Sequence, residues 1–166
     1  LHLCDRRQRQ MCIRDRYKGI PLAASVAMNL SRMGCDVPWA FNRKEIKDHG
    51  EGGMIVGAPL KGRVVIIDDV ISAGTSVRES VKIIEANNAS PSGVLIAVDR
   101  MERGGTADAP TATSAVQDVE KTFGLSVVSI INLHDLLAFM DGPSEKAKTV
   151  AQYRDAVAAY RARYGA

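Results

Sequence analysis

Apolar residues fall along this chain in two rhythms. Between Ile20 and Met33 they recur at 20, 23, 26, 27, 30 and 33, the spacing of one helical face, with Pro21 near the start and Gly34 just past the end. Val77 to Asn88 repeats the rhythm at 77, 81 and 84, and Val116 to Phe123 is amphipathic in the same way. Continuous apolar runs, Val64-Val65-Ile66-Ile67, Val94-Leu95-Ile96-Ala97-Val98 and Leu125 to Ile131, predict strands buried on both faces. Val37 to Phe41 predicts a shorter strand with Pro38 at its start and Trp39 in a packing role. Asn132 is placed to cap a helix from Leu133 to Met140, which puts His134 on a helix surface or in a cap. After the break at Asp141-Gly142-Pro143, Ser144 is placed to cap a last helix to about Tyr164, and tyrosines 153, 160 and 164 read as packing residues. Polar segments 42–54 and 104–113 read as loops. Helices alternating with buried strands predict an α/β fold, a central and mainly parallel sheet flanked by helices.

The chemistry gathers where the first buried run ends. Asp68 and Asp69 follow Ile67, and Val70-Ile71-Ser72-Ala73-Gly74-Thr75-Ser76 leads into the helix at Val77. Open α/β sheets hold ligands in the crevice at strand C-terminal ends. Gly74 among small residues lets the backbone turn tightly and bring amides and hydroxyls around an anion, which describes a phosphate cradle. Two carboxylates beside it repel phosphate but accept hydrogen bonds from sugar hydroxyls. Anion site plus paired acceptors fits a ribose 5-phosphate. Alone, Asp-Asp caps a turn and a glycine makes one; strand, acid pair and small-residue loop in sequence carry the ligand reading.

Two further stretches are polar in an informative way. Segment 42–54 holds Arg43, Lys44, Lys47 and His49 with three glycines and three acids, so it cannot bury itself and predicts a mobile surface loop that an anionic ligand would order. The plain alternative is a solvated hairpin tip. Asp99-Arg100 ends the second buried run, on the same sheet edge as Asp68-Asp69 if the strands are parallel, where a planar guanidinium suits a carboxylate. The alternative there is a surface ion pair.

Composition narrows the classes. With 166 residues, 46% hydrophobic and 25% charged, the chain fits one soluble domain, and no apolar run approaches the roughly 18 residues a membrane span needs. Cysteines 4, 12 and 35 have neither zinc-ligand spacing nor disulfide-framework density, so a reducing cytoplasm is the expected location. The net charge of +3 comes from residues 1–16, which hold five arginines and two aspartates; residues 17–166 carry 17 basic and 17 acidic residues. The domain is neutral and gives no footprint for nucleic acid. Residues 1–16 show no amphipathic period and no secretory signal, and read as a leader foreign to the fold or disordered, with a basic interaction arm as the alternative.

Val64 to Ser76 resembles the phosphoribosyl-diphosphate (PRPP) binding motif of type I phosphoribosyltransferases. Phe41 to Gly53, Asp99-Arg100-Met101-Glu102-Arg103-Gly104-Gly105 and Tyr17-Lys18-Gly19-Ile20-Pro21 resemble the orotate phosphoribosyltransferases among them, so the likeness runs from about Tyr17 to the C-terminus, a domain of 17–166. The resemblance implies transfer of ribose 5-phosphate from PRPP to orotate, giving orotidine 5′-monophosphate and pyrophosphate in pyrimidine (UMP) biosynthesis, with Mg²⁺ as cofactor and a homodimer that shares active sites. It implies that Lys47, His49, Asp68 and Asp69 are catalytic and that Lys18, Arg43, Lys44, Lys47, His49 and Asp68 to Ser76, including Val70, Ile71, Ser72, Ala73, Gly74 and Thr75, bind PRPP. Orotate falls to Ser72 and Arg100, and no protein metal ligand follows. The family carries more chain before its Tyr-Lys-Gly-Ile-Pro segment, so its N-terminal strand and hood are expected to be missing here. Transfer to another nucleobase and a truncated fragment that binds PRPP with little turnover are the competing expectations.

Overall fold

The computed structural model describes residues 9–13, 19–47, 53–106 and 109–166, with side chains for 19–42, 55–105 and 109–166. Val64 to Ile67 form the heart of β4 (Arg63–Asp68), which lies between β1 (Arg9–Ile13) and β5 (Ser90–Asp99). The six-stranded sheet has the order β3-β2-β1-β4-β5-β8, where β2 is Trp39–Lys47, β3 Gly53–Gly57 and β8 Val127–Asn132. Five strands are parallel, and β3 pairs antiparallel with β2 at the far edge. This is the expected mainly parallel sheet.

Helices cover both faces, as two-sided burial of β4 requires. α1 (Gly19–Arg32) packs Ala23 and Ala27 against Ile67, Trp39 and Phe41, whose rings stack 6.1 Å apart. On the other face α2 (Thr75–Ala86) and α3 (Ala115–Phe123) bury Val77, Val81, Ile84 and Val119 against Val64, Ile66, Val94 and Ile96. Asn132 caps α4 (Leu133–Met140) as expected, accepting the amides of His134 and Asp135 at 2.8 and 3.1 Å.

Four expectations are corrected. Residues 9–13 lie inside the sheet rather than outside the fold: Met11 pairs with Trp39 on one side and Val65 on the other. Ladder pairing uses backbone groups, so the lack of an amphipathic period was no bar. The predicted strand ending at Phe41 continues to Lys47, because Gly53–Gly57 supplies a partner and Ile55 packs on the core; residues 48–52 lie outside the described residues. The predicted buried run at 125–131 is an edge strand, with Val128 57% and Ile130 82% exposed. The last helix is broken: Ser144 accepts the Ala147 amide at 3.1 Å to start α5 (Glu145–Val150), and a 3-10 turn, Ala151–Tyr153, separates it from α6 (Arg154–Tyr164). Arg154 bonds Asp141 at 2.6 and 3.2 Å, which ties the start of α6 to the end of α4.

Ile66→Ala, at a side chain 1% exposed, is expected to cost about 2–5 kcal/mol in chemical denaturation. Ile130→Ser, on the open face of β8, is expected to stay within about 0.5 kcal/mol.

Candidate active site

The site is assembled from two strand ends. β4 stops at Asp68, and the following loop reaches Gly74, whose φ of +68° is left-handed and strained for any other residue. A Cβ there would also meet Val119 Cγ2 at 3.0 Å. This residue starts α2 with no side-chain cap, so the helix's N-terminal amide end opens onto the Ser72–Ser76 loop, where an anion is favoured. The adjoining strand holds the loop base: the Asp69 carbonyl accepts the Ala97 and Val98 amides at 3.0 and 3.1 Å.

The acid pair is not symmetrical. Asp68 is 8% exposed and accepts the Asp69 amide at 2.8 Å, while Asp69 is half-buried and accepts the Val70 amide at 3.0 Å. Burial pushes the Asp68 carboxyl up to about 6, and the negative charge of Asp69 adds to the rise, against the opposing pull of the Asp69 amide and the Ser76 hydroxyl. Asp69 is therefore the more accessible acceptor of the two.

Arg100, just past β5, reaches across to the β4 loop. Its Nη2 donates to Ser72 Oγ at 2.5 Å and lies 2.9 Å from Glu102 Oε2, and its buried Nε has no partner. Asp99 makes no ion pair with it; Oδ1 accepts the Met101 amide at 2.8 Å and supports the left-handed φ of +52° at Met101. Ser72, Ala73, Glu102, Gly104, Tyr160 and Arg163 line part of a cavity of about 520 Å³ beside this arginine. Its size suits a small heterocycle. A hairpin of β6 (Arg103–Thr106) and β7 (Ala109–Ser114) forms one wall, in place of the predicted 104–113 loop. Asp118 of α3 accepts the hydroxyls of Thr111 and Thr113, which anchors that wall and lowers the Asp118 carboxyl pKa.

The structure thus brings together Asp68, Asp69, the 70–76 loop and Arg100. Arg43, Lys44 and Lys47 lie on the backbone of β2, their side chains outside the described residues, as are Lys18 and His49 altogether.

An orotate phosphoribosyltransferase of Herminiimonas arsenicoxydans is 62% identical over 149 residues, 90% of this chain and 67% of the relative. The chain belongs to the orotate phosphoribosyltransferase family. The enzyme of that name from Bordetella petrii is 61% identical over 153 residues, with 90% of the chain and 66% of the relative covered. The crystal structure of a Francisella tularensis orotate phosphoribosyltransferase superposes with a TM-score of 0.72 at 29% identity, over 96% of this chain and 71% of that one, so the type I phosphoribosyltransferase fold is shown. No protein-family model matches the chain. The chain spans about two thirds of the length of the curated orotate phosphoribosyltransferases it matches.

Sequence reasoning missed Glu102 and Tyr160 at this site. Glu102 had a signal, lying two residues beyond Arg100 on a chain leaving a strand. Tyr160, 58 residues away in α6, had none.

Because the folded Asp68 carboxyl titrates near 6, above its ordinary 3.8, the protonated form is the favoured one. Its contribution is full below about pH 4 and lost as pH rises through 6. Asp68→Asn is expected to gain stability relative to wild type on the order of 1–3 kcal/mol above pH 6 and little at pH 4, read from denaturation midpoints across pH.

Proposed function

We propose that this chain carries the PRPP and orotate sites of an orotate phosphoribosyltransferase and transfers ribose 5-phosphate from PRPP to N1 of orotate in pyrimidine biosynthesis. The observation that carries the proposal is the juncture of cradle and arginine: the Ser72–Ser76 loop and Arg100 meet at one sheet edge, 2.5 Å apart. The loop and the N-terminus of α2 take the 5-phosphate, Asp69 and Asp68 accept from the ribose hydroxyls, and Arg100 takes the orotate carboxylate. Ser72 is exposed, so its bond to Arg100 is the one an incoming carboxylate would replace.

In the transfer the bond from C1 of ribose to the diphosphate oxygen breaks, pyrophosphate leaves with its electron pair, and a bond from N1 of orotate to C1 forms as the N1 proton passes to the departing pyrophosphate. Positive charge grows on the ribose ring and negative charge on the leaving group, so positioning and charge stabilisation are the protein's work. Carboxylates at 68 and 69 face the first; Lys18, Arg43, Lys44, Lys47 and His49 meet the second. The donor set at the sugar, two adjacent carboxylates, suits a Mg²⁺ ion that takes most ligands from substrate oxygens and water. That ion supplies neutralisation of the diphosphate charge when bound.

A homodimer with shared active sites and a cytoplasmic location belong to the same proposal. No described helix is long and apolar enough to cross a membrane. The second reading is a chain that binds PRPP with little turnover.

Orotate absorbance is expected to fall when the purified chain meets PRPP and Mg²⁺, and Asp69→Ala and Lys47→Ala are each expected to slow that fall about a hundredfold or more. PRPP binding without a fall would select the second reading. Absence of both would overturn the site assignment.

A further inference from the structure

Arg100 is held from a part of the fold remote in sequence. Its Nη2 lies 2.9 Å from Glu102 Oε2, and the other oxygen of that carboxylate, Oε1, accepts the Tyr160 hydroxyl of α6. The backbone makes a second, independent link, since the Ala166 amide donates to the Met101 carbonyl at 3.0 Å and Gly165 bridges Glu102 antiparallel. Glu102 is 15% exposed, so its charge is largely removed from water and its two bonds define its position. Arg100, 33% exposed, has a buried Nε with no partner and so no direct restraint at that atom. Its Nη2 is held by Ser72, whose bond an incoming carboxylate would replace, and by Glu102, so with that ligand bound its orientation depends on what fixes Glu102.

We infer that Tyr160 is a positioning residue: through Glu102 it sets the guanidinium plane of Arg100, and the C-terminal helix is thereby part of carboxylate recognition. This rests on Arg100 being the orotate ligand, as proposed above. Tyr160 lines the cavity but its hydroxyl is spent on Glu102, so its effect passes through that carboxylate. The carboxylate also gives Arg100 a counter-charge, which leaves part of the guanidinium's donor set for one substrate carboxylate.

The test is Tyr160→Phe, which keeps the ring against Tyr164, 4.9 Å between centroids, and removes the hydroxyl alone. Glu102→Gln accompanies it. Hydrogen exchange at arginine Nε is followed by NMR in the full chain, with the Arg100 signal assigned by Arg100→Lys. Arg154 Nε, donating to Asp141 at 2.6 Å from the start of the same helix, is the internal reference. Exchange at Arg100 Nε is expected to speed up roughly fivefold or more in both variants while Arg154 Nε is unchanged. With turnover, KM for orotate is expected to rise about threefold to tenfold in Tyr160→Phe, with kcat and KM for PRPP within about twofold. Unchanged exchange at Arg100, or equal acceleration at Arg100 and Arg154 from general loosening of α6, would overturn the inference. A selective change at Arg100 in a chain that consumes no orotate would uphold the positioning link and count against the proposed function alone.

Discussion

The arrangement of this site depends on β4 and β5 lying parallel and in register, with Ile67 opposite Leu95 and Asp68 opposite Ile96. Parallel strands end on the same side of a sheet, so Asp68-Asp69 and Asp99-Arg100 emerge at one edge. The Asp69 carbonyl then locks the edge by accepting two β5 amides. From that point a left-handed Gly74 reverses the chain into α2 and aims the amide end of a helix at the same crevice. If the register slipped by one residue, Ile66 and Ile67 would exchange faces and lose their own helix partners, and the acid pair would move out of line with Asp99-Arg100.

Burial that makes the frame firm also divides the labour of the acids. Val64 and Ile66 are at most 1% exposed, and the desolvated environment that holds them extends to Asp68. A carboxyl there resists ionisation, while Asp69 lies one residue further toward water. Two identical side chains in sequence thus become a buried acceptor and a half-buried one. This difference comes from depth in the sheet.

The central motif was legible because each of its parts has a local cause: four apolar residues in a row, an acid pair, a glycine that must be left-handed. The helices at 19–32, 75–86 and 115–123 were legible from their apolar spacing. What could not be read were features decided by distant chain. Val128 and Ile130 look like core residues in sequence, but β8 has a neighbour only on the β5 side, and their face is open among the described residues. Residues 9–13 look like a stray charged tail, yet backbone pairing places them between two strands. The 104–113 segment is polar enough for a loop, and Thr111 and Thr113 on Asp118 make it a hairpin wall. Tyr160 is invisible until α6 folds back on the segment after β5.

The central claim is that one sheet edge joins the phosphate cradle, the sugar acceptors and the carboxylate-binding arginine. A crystal structure of the chain with PRPP and orotate tests it most directly. The account predicts the 5-phosphate within about 3.2 Å of amides in the 72–76 loop, the ribose hydroxyls on Asp69 and Asp68, and the orotate carboxylate on Arg100 with Ser72 displaced. Phosphate bound elsewhere on the fold, or a ribose turned away from both aspartates, would contradict it.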